Sequence, residues 1–351
     1  MLLLLSAPGR GCPGRKRGGV GLGKLLYAGR RPRRLWCTGL VSIVVLLALA
    51  LVSCGAEAPG GGDRLSIATG GTGGVYYVYG GALAEQITHN VEGVEATAES
   101  TAASVDNMLL IENGGSDLAF VSADTAADGV AGAEDFEEPI PAQVLAQLYL
   151  SPIQVVTLEG SGIETIEDLA GRAVSVGAPN SATEVSAERI LTLAGVDSEA
   201  GIEREQLGVD ESVDAIRDGT IDAFFWGGGV PTGAITDLAS TDRIRLLPTG
   251  QYVDGIRRAY SEVYTESTIP AGTYEGFNEE VGTITVPNFL LANDSLDEEL
   301  AYQITRVLFE QQEDLAQAHP EAEKLEIQSA QQVAPLELHP GAQRYYEEAG
   351  S

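Results

Sequence analysis

The chain has 351 residues, 51 of them acidic and 21 basic, for a formal charge of −30. Nine of the basic residues precede Gly55, so 55–351 sets 12 basic side chains against all 51 acidic ones, a charge of −39. Such acidity excludes a nucleic-acid-binding role, because gripping phosphates takes a basic face.

Arg30, Arg31, Arg33 and Arg34 precede an apolar run from Leu40 that closes on Leu51-Val52-Ser53-Cys54. A basic region, a short apolar run and small residues before a cysteine describe an export signal ending in a lipidation site. The run is shorter than the ~20 residues that a membrane-spanning helix needs. We therefore expect 1–54 to be a lipoprotein signal peptide and acylated Cys54 to hold the rest on the outer face of the cell membrane, outside the cytoplasm. An uncleaved anchor is the alternative, and Arg30-Arg31 leaves both the Sec and the twin-arginine export route open. Cys12, Cys37 and Cys54 are the three cysteines, so no disulfide braces the chain beyond Cys54.

Small, Gly-rich 55–63 reads as a flexible tether. Beyond it, 65–69 alternates as a strand, Gly70, Gly71, Gly73 and Gly74 make a turn, and 75–88 has the pattern of a helix. The pattern continues with a strand at 95–99, a helix at 104–112 and a strand at 117–121. After an extended apolar segment at 144–158 a second series begins. It has a helix at 165–169, a strand at 173–176, a helix at 183–194, a strand at 202–206, a helix at 212–217 and a strand at 221–225. A second extended stretch at 283–292 suits a return crossing, and 296–318 reads as one long amphipathic helix packing back on the first lobe. Alternating βα units argue an α/β fold with a largely parallel sheet. The expected division is 64–150 with 250–351 in one lobe and 151–249 in the other, joined by two hinge crossings.

The glycine turn is the strongest chemical signal. A helix start leaves about four amides unpaired and carries partial positive charge, so it receives a carboxylate or phosphate. Thr72, Gly73, Gly74, Val75 and Tyr76 are accordingly candidate ligand contacts; a tight structural turn is the alternative. Ser104 and Asn107 open a second hydroxyl-rich helix, where capping alone would also explain the serine. Ser122 and Asp124 follow a strand at the sheet edge where open α/β proteins bind ligands. Asn180, Ser181 and Thr183 repeat the strand, turn and helix arrangement in the second lobe. Trp226 and Gly227 follow another strand, and the indole is a candidate wall of the cleft. A carboxylate would take amides from Gly73 to Tyr76, hydroxyls from Thr72, Ser104 and Ser122, and the amide of Asn107, with Asp124 accepting from a donor on the ligand.

Catalytic constellations do not assemble. His89, His319 and His339 are far apart and none has metal-ligand spacing, so neither a metal, a cofactor nor enzymatic activity is expected.

The motifs at 68–77, 100–107, 161–163 with 168–171, 176–184, 218–225, 269–274 and 338–342 occur in an order that resembles the TAXI family of solute receptors of TRAP (tripartite ATP-independent periplasmic) transporters. The resemblance runs from Leu65 to about Gly350. It implies a two-lobed type II periplasmic-binding-protein fold that delivers a small carboxylate, glutamate-like or a dicarboxylate, to a TRAP-type ion-coupled membrane permease. Two positions depart from the family pattern: Ala102-Ala103 and Asn180-Ser181-Ala182 stand where glycine is more usual. The alternatives are a receptor serving an ABC importer and an extracellular sensor domain.

Overall fold

The computed structural model describes residues 63–350. Cys54, the signal segment 1–54 and the tether up to Gly62 lie outside the described residues. Asp63, read as the last tether residue, is already the first residue of β1 (Asp63–Ala68). Among the described residues no helix is long and apolar enough to cross a membrane.

The first βα series is β1, α1 (Val75–Asn90), β2 (Val94–Glu99), α2 (Ser104–Asn113), β3 (Leu118–Ser122) and α3 (Ala123–Ala131). A 17-residue strand, β4 (Ala142–Leu158), leads to the second series. This comprises β5 (Ala173–Ser175), α4 (Ala182–Leu193), β6 (Glu203–Glu205), α5 (Val209–Arg217), β7 (Ala223–Gly227), α6 (Gly233–Thr241) and β8 (Ile244–Leu246). The chain returns through α7 (Val253–Ala259), β9 (Thr265–Ile269) and β10 (Val281–Asn293). It ends on α8 (Glu298–Glu310), α9 (Gln312–Ala318), α10 (Ile327–Ala330) and α11 (Pro340–Ala349).

Strands run in the order β2-β1-β3-β10-β4-β7-β5-β6, with β8 on β4 and β9 on β10. Within each series the pairing is parallel, β1 with β2 and β3, and β5 with β6 and β7. The expectation of a largely parallel sheet fails at the crossings: β10 is antiparallel to β3, β4 and β9, and β4 to β7 and β8. Alternation of helix and strand reveals parallel units, but it carries no sign of how a long crossing strand pairs. β4 changes partner midway, with Pro152 still opposite Thr285 of β10 and Ile153 opposite Gly227 of β7.

Successive side chains of a strand face opposite ways, and both faces here are covered. From β3, Ala119 and Val121 join a core with Met108 and Phe289, while Leu118 and Phe120 join a second with Tyr79, Leu83, Ile304 and Leu308. In β7, Ala223 and Phe225 face the first core, and Phe224 faces a third with Val213 and Ile235. Truncating such a phenylalanine to alanine costs about 3–5 kcal/mol.

The helix expected over 296–318 is two. Gln311 leaves helical geometry (φ −109, ψ 19), which turns α9 so that Leu315 enters the second core. The side-chain Nε2 of Gln312 then donates to the carbonyls of Ala322 and Leu325 at 2.9 and 2.8 Å, fastening the following turn. No glycine or proline marks the break, so periodicity alone reads through it.

Candidate functional site

Five helices begin at one place. Their N-cap residues, Gly74 of α1, Ala103 of α2, Ser122 of α3, Ser181 of α4 and Gly208 of α5, all line a cavity of about 440 Å³. Each helix follows a strand, so the cavity lies at the carboxyl edge of the parallel units, where open α/β sheets receive ligands. Only Ser181 caps its own helix through a side chain, accepting from the amide of Glu184 at 3.2 Å. The partially positive end of each helix is thereby brought to the cavity.

Among the described residues no lysine, arginine or histidine lines it. Its carboxylates are Asp210 and Glu211, at the first turn of α5. Glu211 is occupied, since its Oε2 accepts from the amide of Gly208 at 2.9 Å. The carboxylate of Asp210 sits against the glycine turn, where a Cβ on Gly73 would lie 2.0 Å from Oδ2. Gly73 is thus the residue that lets the two approach.

Hydroxyl groups follow a common scheme. Ser104 Oγ accepts from the amide of Ser122 at 3.0 Å, and Thr183 Oγ1 from that of Gly227 at 3.2 Å. With Ser181, each engages a lone pair with backbone and retains a proton to give. Ser122 is the reverse: its hydroxyl donates to Asp124 Oδ1 in a short bond. The expectation that Ser122 donates to a carboxylate ligand is therefore corrected, because its one proton is already committed.

Sequence reasoning places Thr72, Gly73, Gly74, Val75, Tyr76, Ser104, Ser122, Ser181, Thr183, Trp226 and Gly227 at a ligand site, and all of them line the cavity. The edge of the Trp226 indole approaches Gly74, and its Nε1 donates to Thr232 Oγ1 at 3.0 Å. Asn107, Asp124 and Asn180 do not line it. Asn107 donates to the carbonyls of Thr69 and Phe120, both at 2.7 Å, and accepts from Thr101 Oγ1 at 2.6 Å. It stitches the ends of β1 and β3 to the turn before α2. Asp124 is fully buried on Arg189 Nη1 at 3.3 Å and on the hydroxyl of Tyr264. Asn180 acts through its backbone, accepting from the amide of Val105 at 3.1 Å.

Several lining residues were not anticipated. Tyr149 and Ser151 come from β4, and Val286 and Asn288 from β10. The Tyr76 hydroxyl donates to Asn288 Oδ1 at 2.5 Å, and Asn288 Nδ2 donates to Ser151 Oγ at 2.7 Å. This chain ties α1 to both crossing strands. Burial pushes the phenols of Tyr76 and Tyr149 up, so both remain neutral donors. Ser186 and the Gly208 turn were also missed.

A family model described as the NMT1-like family matches residues 67–350. The chain belongs to the NMT1-like family. Among solved structures this NMT1-like chain is similar to PhnD1 from Prochlorococcus marinus in complex with methylphosphonate, at 12% identity and a TM-score of 0.52, over 74% of this chain and 90% of that one. It is also similar to MatC from Rhodopseudomonas palustris with bound malate, at 14% identity and a TM-score of 0.50, over 82% and 97%. The periplasmic aliphatic sulphonate binding protein SsuA from Escherichia coli matches at 16% identity and a TM-score of 0.46, over 82% and 83%. At these identities the likeness is one of fold. It bears out the α/β, two-lobed type II periplasmic-binding-protein fold with two hinge crossings.

Proposed function

We propose that this NMT1-like protein is an extracytoplasmic solute receptor that captures a small carboxylate between its halves and performs no chemistry of its own. The observation that carries this reading is the convergence of five helix N-termini on a cavity without a cationic side chain. Each N-terminus contributes about 0.3–1 kcal/mol toward an anion, and up to ~2 kcal/mol when partly buried. Neutral donors complete the site: the hydroxyls of Ser104, Ser181 and Thr183 and the amides of Val75 and Tyr76, while that of Gly74 closes the turn onto the carbonyl of Gly71. Capture at micromolar strength is about −8 kcal/mol, within reach of such a set. Among the fold neighbours, MatC holds malate and PhnD1 holds methylphosphonate, both small anions.

The lobes in this reading are 64–150 with 250–351 against 151–249, and the hinge lies where β4 exchanges β10 for β7. Ligand contacts to both halves favour the shut state by a few kcal/mol, the size of an ordinary population shift. Acylated Cys54 tethers the receptor to the membrane, and a TRAP permease of the type that TAXI receptors serve takes the solute. The motifs shared with that family support the permease assignment.

Calorimetry with a panel of mono- and dicarboxylates tests the site. Saturable heats are expected for at least one acid and weaker ones for Gly74→Pro, whose ring would remove the amide that now donates to Gly71 at 2.9 Å. No heat with any acid would sink the reading. The permease is tested separately by what copurifies with the membrane-anchored protein: an integral membrane partner without an ATPase supports TRAP, whereas an ATPase points to an ABC importer.

A further inference from the structure

The Trp226 indole presents the cavity with carbon alone. Its one polar atom, Nε1, donates to Thr232 Oγ1 at 3.0 Å, and that oxygen also accepts from Gln154 Nε2 at 3.1 Å. Gln154 Oε1 in turn accepts from the hydroxyl of Tyr274 at 2.5 Å, and the same hydroxyl accepts from the amide of Thr232 at 3.0 Å. Thr232 gives its own proton to the carbonyl of Gly229 at 2.7 Å. Thr232, Gln154 and Tyr274 are all buried, so a connected set of hydrogen bonds fixes the indole from behind.

The far edge of the indole reaches α1, where a Cβ on Gly74 would stand 3.5 Å from Cη2. A carboxylate received at that helix start thus has an apolar plane as its neighbour. Further apolar side chains line the cavity on both faces of the sheet: Val209 on the side of the third core, against which the indole packs, and Ile153 and Val286 on the side of the first.

A second carboxylate would meet different surroundings. Of the five helices that begin at the cavity, α1 alone has no acidic residue in its first turn, which leaves its positive end the least neutralised. The cavity's own charges are Asp210 and Glu211, and among the described residues no cationic side chain lines it to offset them. A guest with two negative charges is opposed about twice as strongly by these carboxylates as a guest with one.

We propose that Trp226, Val209, Ile153 and Val286 form an apolar subsite, and that the captured solute is a monocarboxylate with an apolar body, to the exclusion of dicarboxylates. Thr232, Gln154 and Tyr274 are positioning residues that hold the indole in place. The inference rests on the carboxylate reading above, and it departs from the glutamate-like or dicarboxylate guest that the TAXI resemblance implies.

Titration calorimetry on the full-length protein tests it with acids matched in length, butanoate against succinate and pentanoate against glutarate, each pair differing only in a terminal methyl or carboxyl group. The monocarboxylate is expected to bind about tenfold tighter or more. From propanoate to pentanoate, affinity should rise about fourfold for each methylene, the gain from burying one. In Trp226→Ala, and in Tyr274→Phe, which keeps the ring and removes the hydroxyl, that gain should fall below about twofold. Trp36 and Trp226 are the two tryptophans, so emission in a Trp36→Phe background reports on the cavity wall alone. Pentanoate should shift that emission to the blue, and Tyr274→Phe should abolish the shift. Dicarboxylates that bind as well as their monocarboxylate partners, or a gain per methylene that survives Trp226→Ala, overturn the subsite and leave the carboxylate reading standing. A gain that falls in Trp226→Ala but survives Tyr274→Phe overturns the positioning role. Absence of binding by every acid overturns both readings.

Discussion

The amide of Val105, in the first turn of α2, donates to the carbonyl of Asn180, which precedes α4, at 3.1 Å. The bond joins the two βα series next to Ser104 and Ser181, which line the cavity. Asn180 lies in left-handed backbone (φ 61), and its own amide donates to Glu184 Oε2 at 2.7 Å. Glu184 is in turn held by Arg204 Nη2 at 2.5 Å. We expect Glu184→Ala to release this turn, enlarge the radius of gyration of the free protein in solution scattering, and weaken capture about fivefold, the loss of one ordinary hydrogen bond. An unchanged scattering curve would show that the bond does not hold the halves together.

Gly73 and Asp210 meet only because the glycine has no side chain. Gly73→Val would drive a methyl-bearing carbon into the Asp210 carboxylate, which lies 2.0 Å from the position of a Cβ. Capture should weaken by about tenfold or more, while urea unfolding stays within ~0.5 kcal/mol, since the turn is exposed and away from any core. Adding Asp210→Ala should restore most of the affinity. Independent, additive losses in the double variant would refute the contact as the cause.

Ala103 holds φ 92 and ψ −139, a region that glycine occupies freely and alanine does not. Ala103→Gly should therefore raise stability by about 1 kcal/mol in chemical denaturation, despite the greater freedom that glycine gives the unfolded chain. A lower stability would mean that the backbone there carries no strain.

His339 caps α11 in its neutral form. Nδ1 accepts from the amide of Gly341 at 3.2 Å, and Nε2 lies 3.1 Å from the carbonyl of Leu296, to which it donates. Burial lowers its pKa below the ordinary 6.5. As pH falls the unfolded chain takes up this proton first, so the contribution is complete above about 6.5 and declines from there toward the lower folded value. His339→Asn, which retains a capping acceptor, should flatten stability between about pH 6.5 and 5. His319, shifted down for the same reason, continues to contribute in that variant. Equal slopes for the two proteins would contradict the assignment.

Ten of the 12 basic side chains in 55–351 sit in ion pairs, which leaves most of the 51 carboxylates unneutralised. Mutual repulsion opposes the compact state, and at 1 M salt it is screened beyond ~3 Å. The urea midpoint should rise from low to molar salt, as for a protein adapted to a saline habitat. Identical midpoints would reject that adaptation.

What was legible in the sequence was local. The glycine turn, the strands at each series and the hydroxyls ahead of α2 and α4 are visible because special residues mark a strand end or a helix start. Ser186 is invisible for the opposite reason: in mid-helix it resembles any small spacer, and only burial beside Arg189 distinguishes it. Asn288 and Ser151 sit in apolar crossing strands, where pairing decides which residues face the cavity. Asn107 and Asp124 have the right chemistry for a ligand site but satisfy backbone and arginine instead, a choice made by distances that spacing does not encode. α3, α6, β9 and α11 also escaped, being short elements whose stability comes from the surfaces that they cover.

β4 belongs to both halves, pairing with β10 up to Pro152 and with β7 from Ile153. Against β10 the strand already skips a residue twice, at Leu148 and Leu145, whereas from Ile153 to Thr157 its register with β7 is unbroken, with Val155 in the first core and Val156 in the third. One residue added beyond the handover would exchange those two faces, so the first half of the strand can absorb a change of length that the second half cannot.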